Sequence, residues 1–434
     1  MKTKPYWIAF LALVTGQLAC TLRQPTPRPV GPEAGATSPN ESQPEPLPPL
    51  SADVVNPADM EYIGAFRLPG GDEPPRTFAY GGNAMTFNPD NNSLFITGHE
   101  RIAYGGVPDG NQLAEVSIPA PVVSRNIGEL NTAEFIQGFQ NIFENHFVEF
   151  QEIPKVGLQY LNRPETGPQI HIAWGEHLQR DEFPSHGWFS PNLSAPDFQG
   201  EWFIGNVNMY SVNGYMFEIP REWADAYTGG RVLATGRYRD GGQGAQGPSL
   251  FAIAPWERGN PPVAGATIPT IPLLLYGNVY TSGSPKLTGY SHADEWSDAE
   301  WLTAGSKSAV IFIGTKGLGN TWYGCKDGTV WPENPPYPPA CPERGWWADR
   351  FESQIIFYDP AQLGEVARGN LQASKPQPYA ILRIDTRLFN VTESQQKSHV
   401  ASAAFDRARG LLYIMEPLVD DDKPIIHVWR IQAD

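Results

Sequence analysis

Three cysteines in 434 residues are too few for a disulfide framework to carry the fold. Positive charge is also short. Thirty-one Lys and Arg face 47 Asp and Glu, a formal net charge of −16. That balance excludes a nucleic-acid binder, which neutralises phosphates with cations. Long apolar runs are missing as well. Tyr6 to Val14 is an unbroken run of nine residues, well short of the roughly 20 that span a bilayer. Gly and Pro, in contrast, are abundant at 43 each, about one residue in five against a usual ~12%. Each weakens a helix interior, so a long-helix protein is excluded. At 41% hydrophobic residues, the chain can still bury a sizeable core.

The first twenty residues read MKTKPYWIAFLALVTGQLAC. Lys2 and Lys4 precede the apolar run, and small Ala19 precedes Cys20, the pattern of a secretory signal peptide over 1–19. Its end resembles the lipobox of bacterial lipoproteins through Leu18, Ala19 and Cys20, and departs from it at Gln17. The resemblance implies that Cys20 is lipidated and that the domain is exported and held to the bacterial envelope, on the non-cytoplasmic side, by a membrane anchor. Thr21 to Leu50 has nine prolines in thirty residues and no aromatic, so 20–50 reads as a disordered tether. The domain proper is expected over 51–434. Cys325 and Cys341 are then left as a pair, and in an exported protein they predict a disulfide closing a 15-residue loop.

From Ser51 onward, short β-rich runs recur, bounded by Gly, Pro, Asn or Asp. Two hairpins look alike: Ala84 to Ile96, and Ala403 to Ile414. A second repeated pattern is a strand ending near Pro, a short helix, then Gly and another strand, at Phe217 to Thr235 and at Phe357 to Leu382. Asn131 to Glu144 stands apart. Phe135, Phe139, Ile142 and Phe143 share one helical face, and Asn131 with Glu134 reads as a capping box, so an inserted helix is expected there.

Dispersed four-strand units resemble the blades of a β-propeller over about residues 58–434. Inner strands are expected near Gly82, Val156, Ser249, Glu300 and Val400, giving an all-β protein of about five blades, with six possible. The last strands, Val400–Phe405, Leu411–Glu416 and Ile425–Ile431, lack a fourth partner that Tyr62–Leu68 can supply. A β-sandwich with insertions is the alternative.

Propeller topology puts the connections between blades, and those between second and third strands, on one face. Candidate residues concentrate there: His177, Arg239, His292, Asp294 and His399. If extended, His292 and Asp294 point the same way, as an oriented His or two ligands of one ion; a structural network is the competing reading. Asp420, Asp421 and Asp422 offer oxygens for a calcium ion, or form a solvated turn. The segment WYGCKDGTVWPENPPYPPACPERGWW carries Trp322, Tyr323, Trp331, Trp346 and Trp347, stiffened by six prolines and the cysteine pair. Rigid exposed rings stack on sugars or partners, whereas inward rings would form a satellite core. Asp298 and Glu300 flank Trp301 near an inner-strand start and are candidate paired carboxylates. The expected role is binding of a carbohydrate or protein on this face. The alternative is a glycoside hydrolase or lyase using Asp298, Glu300 and His399.

Overall fold

In the computed structural model, five antiparallel sheets stand around an axis. The structure describes residues 49–71, 73–101, 107, 109–143, 146, 155–175, 183–237, 246–278 and 281–433. The segment expected to be a signal peptide, Cys20 and most of the expected tether lie outside them, as do His177 and Arg239.

Blade 1 comprises Met85–Asn88, Ser93–Thr97, Leu113–Ser117 and Phe135–Gln140. Blade 2 comprises Lys155–Arg163, Gly167–Gly175, His186–Phe189 and Gln199–Ile204, with Thr267–Ile268 added in parallel at its rim. Blade 3 is Tyr215–Glu218, Leu233–Gly236, Ser249–Ile253 and Thr270–Leu275. Blade 4 is Glu295–Ala304, Lys307–Gly324, Gly345–Tyr358 and Ala380–Arg383. Blade 5 is Ala403–Asp406, Leu411–Asp420, Lys423–Ile431 and, from the other end of the chain, Met60–Arg67. The first strand of each blade packs against the first strands of its two neighbours, closing a five-membered ring. The fold is an all-β, five-bladed propeller.

Each sheet is covered by a neighbour on both sides, which explains why its strands read as continuous apolar runs. In Ser93–Thr97, Phe95 enters the core shared with blade 2, while Leu94 and Ile96 enter the core shared with blade 5. Period-two alternation repeats this elsewhere. Val310 and Phe312 serve the core toward blade 3, and Ala309, Ile311 and Ile313 that toward blade 5. Leu412 and Ile414 likewise part from Tyr413 and Met415.

Closure is as the sequence predicts. Met60–Arg67 pairs antiparallel with Lys423–Ile431, from Met60↔Ile431 to Arg67↔Ile425, with a bulge between Tyr62 and Gly64. Gly64 has φ +126°, and a Cβ there would lie 2.6 Å from the Val122 carbonyl carbon, so only glycine fits this crossing.

Two expectations fail. Asn131 to Glu144 does not form the inserted helix: Phe135–Gln140 is the outer strand of blade 1. Residues four apart share a side in a strand as in a helix, and pairing with Leu113–Ser117 settles the choice. Ser249 starts no inner strand. Ser249–Ile253 is the third strand of blade 3, whose inner strand is Tyr215–Glu218. Strands Leu233–Gly236 and Ser249–Ile253 are thus the second and third of blade 3. The two strand–helix–strand segments also differ in place. Helix Arg221–Tyr227 links first to second strand in blade 3, and helix Pro360–Ala367 links third to fourth in blade 4.

Candidate functional site

The starts of the inner strands surround a cleft of about 610 Å³ at the channel mouth. Its lining includes Tyr80, Glu100, Lys155, Glu295, Ser297 and Lys397, with Asn390 to Ala401 forming one wall. Lys155 opens the inner strand of blade 2, and its Nζ donates to the Ala401 carbonyl of the segment entering blade 5, at 2.6 Å. Blades 2 and 5 are not neighbours, so this side chain crosses the axis. Burial pushes the Lys155 amine down to about 8, against the pull of Asp298 and Glu295.

Asp298 and Glu300 lie on the inner strand of blade 4 and are both buried; neither lines the cleft. The Asp298 carboxylate accepts from the Ala403 amide at 2.8 Å and from its neighbour Ala299 at 2.9 Å. Burial pushes it up to about 6, opposed by Lys155 and these amides. For Glu300, burial and then the charge of Asp298 push the carboxyl well above its ordinary range. The two therefore belong to the packing around the axis rather than to an accessible acid–base pair.

His399 is buried and held at both ring nitrogens. Nδ1 lies 2.9 Å from Asp385 Oδ1 and 3.0 Å from Ser353 Oγ, and Nε2 lies 2.9 Å from the Gln396 carbonyl. Burial raises the Asp385 carboxyl, but hydrogen bonds from His399 and Ser353 outweigh it and leave it below its ordinary value. His399 thus fixes the wall segment.

Ser291–Asp294 is a turn, with the Asp294 amide donating to the Ser291 carbonyl, so His292 and Asp294 do not project together as an extended pair would. Asp294 is buried, takes Lys316 Nζ at 2.8 Å and accepts from the Ser291 and Gly317 amides. His292 turns instead to the aromatic loop. The acidic tip is similarly dispersed. Asp420 receives both Nε and Nη2 of Arg67 at 3.0 Å, and Asp422 accepts from Tyr80. Among the described residues, no three His, Cys, Asp or Glu side chains gather as a metal would require.

The aromatic segment caps a hairpin, Lys307–Gly324 with Gly345–Tyr358, that runs past the end of blade 4. Cys325 and Cys341 form a disulfide at its tip, with Cα atoms 5.9 Å apart. Register places Trp322 opposite Trp347 and Tyr323 opposite Trp346, so the two pairs face opposite sides. The Trp322–Trp347 side packs on Ala293, Ala348 and Phe351, and Lys397 Nζ sits 3.7 Å from the Trp347 ring centroid. Trp331 is sandwiched by Tyr337, stacked at 5.7 Å, and by the Arg344 guanidinium at 4.5 Å. Trp346 is different. His292 stacks on it at 4.3 Å and 14°, Tyr323 meets it edge-on at 5.6 Å, and both aromatic side chains remain 37% exposed. One predicted cluster thus divides into a satellite core, a self-stacked triad and an open platform.

The hairpin is docked on the cleft wall. The Phe351 amide donates to the Ser394 carbonyl at 2.7 Å, Gln395 reaches the Ala348 carbonyl, and Lys326 pairs with Glu393. Replacing both Cys325 and Cys341 by Ser removes a loop constraint of about 3 kcal/mol. The expected result is faster tryptic cleavage at Lys326 and Arg344, with a melting temperature lowered by a few degrees because the unfolded chain regains that freedom. Equal cleavage rates would show that the prolines and stacked rings alone hold the tip.

Sequence reasoning placed Glu295 on this face but passed over Lys155 and Lys397. The available signal for Lys155 was a lysine heading the apolar run Val156-Gly-Leu at an expected inner-strand start.

No protein-family model and no curated protein matches the sequence. Among solved structures, the holo form of the pyranose dehydrogenase PQQ domain from Coprinopsis cinerea is similar at 10% identity and TM-score 0.34, over 89% of this chain and 98% of that chain. The Dos1 propeller is similar at 8% identity and TM-score 0.24, over 81% and 68%. Chaetomium thermophilum Sqt1 is similar at 10% identity and TM-score 0.26, over 82% and 70%. At these scores the likeness carries nothing about ligand or activity.

Proposed function

We propose that this propeller binds a saccharide on the hairpin side of its loop face, with the ring of Trp346 as the stacking platform. We also propose that it is exported and held to the bacterial envelope through a lipidated Cys20 and the Pro-rich tether. The observation that carries the binding reading is the exposure of Trp346 and Tyr323 on a disulfide-closed hairpin, with His292 stacked behind the indole. A flat apolar ring bordered by polar edges suits the apolar face of a sugar, and a rigid mounting keeps the ordering cost of binding low. The buried positions of Asp298 and Glu300 favour binding over hydrolysis. The test is thermal unfolding with a panel of oligosaccharides, since a ligand at a hundred times its Kd adds about 2.7 kcal/mol. Trp346→Ala is expected to weaken the sugar that binds by at least about tenfold, near 1.4 kcal/mol, without lowering the melting temperature of the free protein. Unchanged affinity in that variant would sink the platform, and co-purification of a protein with the wild type alone would make the ligand a protein.

A further inference from the structure

The floor of the channel-mouth cleft holds a primary amine in unusual surroundings. The Lys155 side chain is buried, and its hydrogen-bond acceptor is the Ala401 carbonyl oxygen at 2.6 Å. In its deprotonated form the amine can keep that hydrogen bond and still offers a lone pair for attack on a carbonyl. The charged groups facing it are Asp298 and Glu295, both on the inner strand of blade 4. Glu100, Glu393, Lys397 and the Tyr80 phenol line the cleft around it. Among the described residues, no carboxylate makes an ion pair with it.

We propose that Lys155 captures a small aldehyde admitted to the cleft, forming an imine. Nζ attacks the carbonyl carbon, a C–N bond forms, the carbonyl π pair moves to oxygen, and one nitrogen proton passes to that oxygen to give a carbinolamine. The nitrogen lone pair then forms the C=N bond as the C–O bond breaks, the oxygen takes up a second proton and leaves as water, and the nitrogen gives up its remaining proton. Amine and aldehyde thus give imine and water, with no oxidant or reductant consumed. Glu295, which lines the same cleft, takes the proton from nitrogen and returns one to the departing oxygen. Burial supports the chemistry, because an amine pushed down to about 8 is unprotonated near neutrality far more often than an ordinary lysine.

The test needs no variant to be interpretable. The full chain is incubated with glycolaldehyde and cyanoborohydride, which reduces any imine to a stable secondary amine, and modified lysines are quantified by peptide mass spectrometry. Lys155 is expected to label at least about tenfold faster than exposed Lys286 at neutral pH, and its rate should rise with a midpoint near pH 8. Lys155→Met should remove that fast label and no other. Labelling of Lys155 no faster than Lys286, or confined to surface lysines, overturns the proposal. The inference uses the cleft and not the aromatic platform. Loss of sugar binding in Trp346→Ala therefore leaves it standing, and its failure leaves the saccharide reading standing.

Discussion

Asp298→Ala is expected to lower the free energy of unfolding by about 1–3 kcal/mol, the usual result of leaving a buried backbone donor without its acceptor. The variant leaves the Lys155 amine in its buried site with its leading counter-charge gone. It also leaves the Ala403 amide, across the boundary with blade 5, without its acceptor. Urea unfolding followed by tryptophan fluorescence measures the loss. The double variant Lys155→Met with Asp298→Leu should recover part of it, because apolar side chains of similar size remove both desolvation penalties while the Ala403 amide stays unpaired. Equal losses in single and double variants would refute the coupling. The same pair sets a pH dependence. Asp298, at about 6 when folded against 3.8 as its ordinary value, contributes stability that is full below about pH 4 and is lost as pH rises through 6. Lys155, at about 8 against 10.5, contributes stability that is full above about pH 10.5 and is lost as pH falls through 8. Their combined contribution is thus least between pH 6 and 8, and the double variant should flatten both slopes.

Removing the chain through Arg67 is expected to abolish cooperative folding. The closing strand buries Ala65 and Phe66 and pairs along seven residues with Lys423–Ile431, and Val54 and Val55 just before it are also buried. At about 1.5–3 kcal/mol for each large apolar side chain, the loss exceeds about 5 kcal/mol before any ladder bond is counted. That is comparable with the whole stability of many domains. It also bares a long strand edge, which invites association. Circular dichroism melting and light scattering report the outcome, and a synthetic peptide spanning residues 54–68 should restore the transition in trans. A truncated chain that melts at the wild-type temperature would show that closure is dispensable.

Much of this architecture was legible because propeller strands obey a simple rule: apolar on both sides, four strands, then a turn. The unpartnered end of blade 5 could be matched to Tyr62–Leu68 by counting. Local rules failed where pairing partners decide. Phe135 and Phe139 satisfy helix and strand alike, and only the neighbour Leu113–Ser117 separates the two. Ser249–Ile253 is as apolar as an inner strand, and only its pairing with Leu233–Gly236 and Thr270–Leu275 makes it the third strand of its blade. The aromatic loop was found, yet which ring stays open depends on register, since adjacent residues in a strand face opposite ways. Lys155 was missed for a related reason. A lysine at the head of a strand reads as a solvated end, and its burial arises only when blade 5 supplies an acceptor across the axis.

That crossing has a mechanical consequence. A propeller is a hoop, and this one is fastened by a non-covalent seam in blade 5. Lys155 acts as a brace spanning the hoop to the blade that carries the seam, and Asp298 anchors the same segment from blade 4. Both bonds hold the inner edge of blade 5, whereas the seam lies toward its rim. The blade assembled from two distant parts of the chain is thus pinned at the axis by two other blades, and opening the seam leaves its inner strand held.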